Sequence, residues 1–211
     1  AESPAEVTGD SEQVSSRIAG LLLAGGASKR MGSPKALLDF EGETFLNRLI
    51  RIYASSGLRP ILVVLGHNAE AIRPSLPADV EIAVNPDPAR GQFSSLQTGL
   101  RALPRHWDGV LYQPIDFPAI RESTMQALIR AFRPGVPLVI PRYRGERGHP
   151  VLLGPAVVSE LLDLAPSAQA REVTRRHYPE AVFIDVDDAG VVTDVDTAED
   201  YAALLERACP R

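Results

Sequence analysis

Short apolar runs alternate with amphipathic segments along most of the chain. The run PILVVLG at residues 60–66 is continuously apolar, which is typical of a strand buried on both faces. Between residues 43 and 56 apolar side chains recur every three or four positions, and Gly57 follows them, which predicts an amphipathic helix that ends there. The same reasoning predicts strands at residues 18–24, 60–66, 80–84, 109–115, 137–141, 150–153 and 181–186, and helices at residues 43–56, 69–73, 94–103, 123–132, 155–164 and 197–207.

Local polar signals refine some of these boundaries. Ser123 is predicted as the N-cap of helix 123–132, and Ser94 is a candidate for the same role in the helix that starts there. Thr197 is followed three positions later by Asp200, which is a capping pattern for the last helix. A polar, basic turn at residues 142–149 joins two of the predicted strands.

Alternating buried strands and helices predict an α/β fold. The strands read as near-continuous hydrophobic runs, so we expect a mostly parallel sheet with helices on both faces, a three-layer sandwich. A single domain is predicted for residues 18–208, after a polar and acidic segment at residues 1–17 that we expect to be disordered. In such folds ligands bind beyond the carboxyl ends of the strands, so the loops at that edge are the place to look for a site.

The loop after the first strand is a candidate phosphate site. Gly25 and Gly26 allow backbone N–H groups to approach an anion closely, and Lys29, Arg30 and Lys35 follow within the next nine residues. The alternative is that the two glycines only form a tight turn. Neither the P-loop pattern nor the dinucleotide-binding glycine pattern is present in this loop, so these two familiar phosphate-binding classes do not apply.

Three aspartates follow strands or precede a helix on the expected edge of the sheet. Asp116 comes directly after strand 109–115, while Asp194 and Asp196 lie two positions apart before the last helix. Carboxylates facing a cationic phosphate loop are natural Mg²⁺ ligands, and either Asp194 or Asp196 can complete the set with Asp116. The alternatives are a turn or N-cap role for Asp116 and a helix-capping role for Asp196.

Composition narrows the function classes. The chain has 211 residues, 45% of them hydrophobic and 23% charged, as in an ordinary globular domain. A net charge of −5 argues against a general nucleic-acid binder. The single cysteine, Cys209, excludes an intramolecular disulfide and a tetrathiolate zinc site. No apolar run reaches the roughly 18 residues of a membrane span, and residues 1–17 do not resemble a signal peptide, so the cytoplasm is the predicted location.

Taken in order, the loop at residues 23–35, the motif Asp116-Phe117-Pro118 and the stretch DVDTAEDY at residues 194–201 resemble the MobA-like nucleoside triphosphate transferases. This family includes the guanylyltransferases and cytidylyltransferases of the molybdenum cofactor, and the resemblance runs from about residue 18 to residue 205. It implies a Rossmann-like fold and the Mg²⁺-dependent transfer of a nucleoside monophosphate from a nucleoside triphosphate.

The resemblance also implies roles for individual residues. Arg30 would hold the β- and γ-phosphates, Lys35 the α-phosphate, and Asp116 with Asp196 the metal, so Arg30, Lys35 and Asp116 are the predicted catalytic residues. His149, in the segment at residues 147–153, would contact the acceptor phosphate, with an ordinary polar hairpin residue as the alternative. The predicted nucleotide-binding residues are Leu23, Ala24, Gly25, Gly26, Arg30, Lys35, Asn85 and Ser95.

Two features depart from a single branch of the family. Gly25-Gly26 is closer to the guanylyltransferases, whereas residues 91–100, 147–153 and 194–201 are closer to the cytidylyltransferases, so CTP is favoured only slightly over GTP. Relatives often carry a small residue just before the metal-binding aspartate, but here the sequence is Gln113-Pro114-Ile115-Asp116.

The expected reaction is in-line attack by an acceptor phosphate oxygen on the α-phosphorus, with release of pyrophosphate. Molybdopterin is the acceptor implied by the resemblance, and a molybdoenzyme or its chaperone is the implied protein partner. A sugar-phosphate nucleotidyltransferase is the alternative enzyme. A non-catalytic protein that binds and delivers a nucleotide or cofactor, and a flavodoxin-like regulatory domain, are the alternatives outside this class.

Overall fold

A computed structural model describes residues 16–208, and its main sheet has eight strands. The strands are β1 (Ile18–Ala24), β2 (Asp39–Phe40), β3 (Glu43–Thr44), β4 (Ile61–Leu65), β5 (Glu81–Val84), β6 (Gly109–Pro114), β7 (Leu138–Tyr143), β8 (Glu146–Arg147), β9 (Val151–Leu153) and β10 (Val182–Asp185). The helices are α1 (Phe45–Ser55), α2 (Ala69–Ile72), α3 (Gln92–Ala102), α4 (Glu122–Ala131), α5 (Pro155–Asp163), α6 (Arg171–Thr174) and α7 (Ala198–Ala208). Short 3₁₀ turns occupy residues 35–37, 73–75, 88–90, 175–180 and 189–191.

The main sheet is mostly parallel. Its strands run in the order β10-β7-β9-β6-β1-β4-β5, with β8 paired to β7, while β2 and β3 form a separate hairpin. Strands β6, β1, β4 and β5 are all parallel, as are β7 and β10, and β9 is antiparallel to both of its neighbours. The carboxyl ends of β1, β4, β5 and β6 therefore meet at one edge.

Helices cover both faces of this sheet. Alternate residues of β1 point to opposite sides: Leu22 packs in a core with α1, α2 and α4, and Leu21 packs in a core with α3, α5 and α6. A smaller cluster of Phe40, Phe45 and Leu204 docks α7 beside α1. The predicted three-layer α/β sandwich is confirmed.

The cap predicted for the last helix is correct. Thr197 Oγ1 accepts a hydrogen bond from the Asp200 backbone N–H at 3.2 Å, and an Asp200 carboxylate oxygen accepts one from the Thr197 N–H at 2.8 Å. This reciprocal pair satisfies donors that the first turn of a helix leaves without partners. The start of α7, which follows the segment with Asp194 and Asp196, is thereby fixed.

The two serine caps are wrong. Helix α4 begins at Glu122, and a distant carboxylate serves its start: Asp188 accepts from the Arg121 N–H at 2.9 Å and from the Thr124 hydroxyl at 2.7 Å. Helix α3 begins at Gln92 after Gly91, so Ser94 lies inside its first turn and donates its hydroxyl to the Gly91 carbonyl.

Other boundaries differ from the predictions for local reasons. Residues 43 and 44 belong to the β2–β3 hairpin rather than to α1, and Thr44 caps α1 by accepting from the Asn47 N–H at 3.2 Å. The predicted turn at residues 142–149 contains the β7–β8 hairpin, which reverses at Arg144 and Gly145, both with positive φ. The predicted disordered segment falls mostly on residues 1–15, which lie outside the described residues, as does Cys209. None of the helices within residues 16–208 is long and apolar enough to cross a membrane.

Candidate functional site

A cavity of about 510 Å³ opens at the edge where β1, β4, β5 and β6 end. The loops after these strands form its walls, with the glycine loop on one side and residues 88–92 on the other. Most of the residues predicted from sequence line this one cavity, namely Leu23, Ala24, Gly25, Gly26, Arg30, Lys35, Ser95, Asp116 and Asp196.

The glycine loop packs tightly against its neighbours. A Cβ placed on Gly66 would lie 2.5 Å from the Gly25 carbonyl oxygen, so this position requires glycine, and one placed on Gly25 would lie 2.7 Å from Ser95 Oγ and would displace that hydroxyl. Asn68 donates its side-chain amide to the Gly26 carbonyl at 3.2 Å. The loop backbone is therefore held close to the cavity by contacts rather than left as a free turn.

Asn85 supports this wall from behind. It is 4% exposed, and its amide donates to Ser94 Oγ at 2.9 Å and to Ser95 Oγ at 3.0 Å. Ser95 lines the cavity, whereas Asn85 is not among the described residues that line it. Asn85 thus orients Ser95, and of these two side chains it is Ser95 that reaches the cavity.

Lys35 lies between two carboxylates. Its Nζ is 2.5 Å from Asp196 Oδ1 and 3.3 Å from Asp116 Oδ1, while its backbone N–H donates to Ser28 Oγ at 3.0 Å. Arg30, which is much more exposed, reaches Asp196 Oδ2 at 3.3 Å. Two of the predicted phosphate-binding cations thus already lie beside the predicted metal ligands.

The charges in this cluster shift one another's pKa values. Burial alone would lower the pKa of Lys35, but the hydrogen bond that it donates to Asp196 and the charges of both carboxylates outweigh this effect and raise that pKa. Burial raises the pKa of Asp116, although Lys35 opposes the shift. The hydrogen bond from Lys35 lowers the pKa of Asp196, so that carboxylate stays ionised.

Asp194 completes a cluster of three carboxylates. One oxygen from each of Asp116, Asp194 and Asp196 lies within 4.8 Å of the other two. The i, i+2 spacing of Asp194 and Asp196 brings both carboxylates beside Asp116. Each of the two residues that the sequence offered as the second metal ligand therefore lies in the cluster. An all-oxygen donor set of this kind fits a hard divalent cation.

The pKa of Asp194 is raised to about 6 by loss of hydration and by the charges of Asp196 and Asp116. A carboxyl whose pKa is raised on folding destabilises the fold in its ionised form, and this penalty grows as pH rises from about 4 to about 6.

In EDTA we therefore expect Asp194→Asn to be more stable than the wild type at pH 7, with the difference vanishing near pH 4. Thermal denaturation across this pH range measures it, with the exposed Asp79→Asn as the control; a difference that does not depend on pH would contradict the expectation.

A second, larger cavity of about 770 Å³ shares the wall of Leu23, Gly91 and Gln92 with the first. Asp194 lines this second cavity, so the carboxylate cluster stands at the junction of the two. Its remaining lining is rich in aromatic and cationic side chains, among them Phe93, Tyr112, Phe117, Tyr178, Arg90, Arg147 and Arg171.

His149 forms part of the wall of this second cavity, where its ring centroid lies 4.8 Å from that of Phe117 and 5.7 Å from that of Tyr112. Burial lowers the pKa of His149 to about 4, and its Nδ1 is buried with no hydrogen-bond partner among residues 16–208. A neutral imidazole carries no charge with which to attract a phosphate, which weakens the role predicted for it.

No role was predicted from the sequence for the arginines of the second cavity, although Arg147 lies in the segment at residues 147–153. Arg147 packs over the Tyr178 ring at 4.6 Å from its centroid, and Arg171 lies at the start of α6. Residues 165–180 carry no clear apolar periodicity, so no element was predicted there. Their cationic and aromatic composition was the available signal.

Comparison with known proteins fits this geometry. The MobA-like NTP transferase domain matches residues 20–182. The chain belongs to this family. The resemblance inferred from the loop and the two acidic motifs is confirmed, together with the predicted enzyme class, a nucleotidyltransferase, and the Rossmann-like fold.

The relatives of this MobA-like protein carry more than one activity. It is 34% identical over 202 residues to the nicotine blue oxidoreductase of Paenarthrobacter nicotinovorans, covering 89% of this chain and 96% of the relative. A probable molybdenum cofactor guanylyltransferase of Opitutus terrae is 36% identical over 128 residues, covering 59% and 60% of the two chains. The molybdenum cofactor cytidylyltransferase of Escherichia coli is 24% identical over 191 residues, covering 89% and 95%.

Solved structures share the same architecture. Rv0371c of Mycobacterium tuberculosis H37Rv superposes with a TM-score of 0.79 at 27% identity, covering 91% of this chain and 99% of that one. A second structure of that protein, with a TM-score of 0.73 at 25% identity and coverage of 90% and 99%, is a complex with manganese. Manganese, a divalent metal, is thus bound in that structure.

Proposed function

We propose that this protein transfers a nucleoside monophosphate from a nucleoside triphosphate to a phosphorylated acceptor, with Mg²⁺ as the metal and pyrophosphate as the leaving group. The observation that carries the proposal is the position of the carboxylate cluster. Asp116 and Asp196 face the smaller cavity and Asp194 faces the larger one, with Lys35 and Arg30 beside them. Two substrates bound in the two cavities would meet at this cluster.

Together with the proposed Mg²⁺, the residues of this site account for the transfer of a nucleoside monophosphate. Asp116, Asp194 and Asp196 would hold Mg²⁺, which neutralises charge on the reacting phosphates when bound. Lys35 would stabilise the charge that develops on the α-phosphoryl oxygens, and Arg30 would bind the leaving pyrophosphate. An acceptor phosphate is already ionised at neutral pH, so no general base is required.

The larger cavity suits an acceptor such as molybdopterin. Aromatic side chains line it and can stack on a flat heterocycle, while Arg147 and Arg171 supply positive charge for a phosphate. This moves the proposed phosphate contact from the neutral His149 to the arginines. The relatives named as molybdenum cofactor guanylyltransferase and cytidylyltransferase support the same acceptor. Delivery to a molybdoenzyme or its chaperone stays a prediction.

Within the proposed function, CTP is favoured over GTP. The Escherichia coli cytidylyltransferase is covered over 95% of its length, whereas the guanylyltransferase relative is covered over 60%. Among the described residues that line the smaller cavity, the carboxylates are Asp116 and Asp196, and both belong to the metal cluster. These lining residues therefore offer no further side-chain carboxylate to pair with the N–H groups of guanine.

A thermal-shift panel of CTP, GTP, ATP and UTP, each with Mg²⁺, tests the nucleotide assignment. A ligand at ~100 times its Kd adds about 2.7 kcal/mol of stability, which for a domain of this size is a shift of roughly 5–10 °C. We expect the largest shift with CTP and a smaller one with GTP. A flat panel would count against the whole proposal.

Pyrophosphate release then separates a transferase from a non-catalytic delivery protein. With CTP and Mg²⁺, we expect release to depend on added molybdopterin. Release with sugar phosphates but not with molybdopterin would favour the alternative enzyme. Nucleotide binding without any release would favour delivery.

A second candidate is an oxidoreductase, because the relative with 34% identity over most of both chains is a nicotine blue oxidoreductase. The aromatic lining of the larger cavity would also accept nicotine blue, which is a planar dye. Mixing the protein anaerobically with nicotine blue and NADH or NADPH decides the matter, since reduction of the dye and the accompanying oxidation of the nicotinamide nucleotide each change the absorbance. We expect no change above the protein-free control.

A further inference from the structure

Gln113 is a polar side chain in the middle of the core. It lies on the central strand β6, pairs in register with Leu22 of β1, and is fully buried. A buried amide is costly unless its donor and acceptor find partners. The metal cluster and the two cavities, as described above, make no use of this residue.

The amide of Gln113 holds the turn that follows its own strand. Its Nε2 donates to the Phe117 carbonyl at 3.1 Å, and its Oε1 accepts a longer hydrogen bond, 3.4 Å, from the buried Tyr53 hydroxyl. The hydrogen bond to Phe117 is the shorter of the two and therefore the stronger. It closes residues 113–117 into a fixed loop.

Three consecutive carbonyls of this turn accept from three separate parts of the chain. Asp116 O accepts from the Val195 N–H at 2.9 Å, Phe117 O from Gln113, and Pro118 O from Arg48 Nε at 3.0 Å. The turn is thus held by the segment that carries Asp194 and Asp196, by β6 and by α1. A turn fixed from three directions has little freedom to change the direction of its side chains.

The same turn faces both cavities. Asp116 lines the smaller cavity and joins the carboxylate cluster, while the Phe117 ring lines the larger one and packs on His149. A displacement of the Phe117 carbonyl would therefore move two groups at once. These are the Asp116 carboxylate in the cluster and the Phe117 ring in the wall of the larger cavity.

We propose that Gln113 is a positioning residue that, through its bond to the Phe117 carbonyl, fixes Asp116 for metal binding and Phe117 for the acceptor wall. The proposal rests on the proposed function, since it assigns Asp116 to the metal. It goes beyond that function because Gln113 lies outside the carboxylate cluster and outside the described lining of both cavities. Groups that orient metal ligands in this way typically change metal affinity or activity by about 10–100-fold when they are replaced.

The test variant is Gln113→Met, which keeps the side-chain length and removes the amide. The readout is Mn²⁺ affinity, measured from the EPR signal of free Mn²⁺ without nucleotide, alongside turnover. We expect Mn²⁺ affinity about tenfold weaker and kcat about 10–100-fold lower, with circular dichroism unchanged at the assay temperature. A folded variant with wild-type Mn²⁺ affinity and kcat would overturn the proposal.

Tyr53→Phe is the matched control, since it removes the other, longer hydrogen bond of the same amide. We expect its Mn²⁺ affinity to stay within about twofold of the wild type, because the Phe117 bond remains. If Gln113→Met does not fold, Gln113→Asn decides instead, as it keeps an amide but shortens the side chain that donates to the Phe117 carbonyl. Mn²⁺ binding at least about threefold weaker supports the held turn, and unchanged binding overturns it.

The Mn²⁺ readout separates this inference from the proposed function. A wild-type protein that binds Mn²⁺ but transfers no nucleotide would defeat the proposed reaction and still leave the role of Gln113 to be decided by metal affinity. A wild-type protein that binds no Mn²⁺ would defeat both.

Discussion

Replacing Lys35 with Met is expected to lower kcat by about 100- to 1000-fold, the usual cost of removing one group that stabilises transition-state charge. Lys35 is almost completely buried, and its Nζ lies within 3.3 Å of both Asp116 and Asp196. It is thus a fixed charge at the point where the α-phosphate would react. Pyrophosphate release at saturating substrates measures the effect.

Arg51→Met is the control for Lys35→Met. Arg51 is a half-exposed cation on α1 that pairs with Glu43 and lies outside the described lining of both cavities. We expect its turnover to match the wild type. Normal turnover in Lys35→Met would exclude the assignment of the smaller cavity to the reacting phosphates.

The same Lys35 variant is expected to be less stable at neutral pH. The pKa of Lys35 is raised in the folded protein, so its contribution to stability is present at pH 7 and is lost only above its ordinary range, near pH 10.5 and beyond. Without it, Asp116 and Asp196 repel each other with no charge between them. Adding Asp116→Asn to Lys35→Met should restore part of the lost melting temperature.

Asp116→Asn is expected to abolish most activity, by about 100-fold or more, while raising the melting temperature of the metal-free protein. Burial raises the pKa of Asp116 above its ordinary value, so the ionised form costs stability as pH rises from about 4 toward neutrality. Asn keeps the shape and removes the charge. Activity should fall while stability rises.

Three measurements check this opposite pair of effects. Mn²⁺ affinity and pyrophosphate release report the loss of function, and thermal denaturation in EDTA at pH 7 reports the gain in stability. Asp79→Asn, an exposed carboxylate on the loop before β5, should change neither. An Asp116→Asn protein that keeps its turnover and melts at a lower temperature would contradict both expectations.

The sequence carried enough information to predict the layers and the edge that holds the site. Continuous apolar runs such as residues 60–66 identify strands buried on both faces, and parallel strands end at a common edge. This rule was enough to bring Asp116 near the loop at residues 24–35. The Asp194–Asp196 spacing likewise predicted two carboxylates on one side of an extended segment.

The features that the sequence did not predict depend on contacts between residues that are far apart in the sequence. The start of α4 is served by Asp188, more than 60 positions away, which no local capping rule can identify. The neutral state of His149 follows from its burial against Tyr112 and Phe117, which belong to β6 and to the turn after it. No role was predicted for Gln113, because its partner is a backbone carbonyl that the sequence does not reveal.

The wall that the two cavities share consists of Leu23, Gly91 and Gln92. In the proposed reaction, nucleotide and acceptor approach from its two sides and leave as one molecule that spans it. Because the two halves of this product are tethered, it holds both cavities with the strength of two linked ligands. Release of the product is therefore expected to be slow, and a downstream protein that takes up the product would accelerate it.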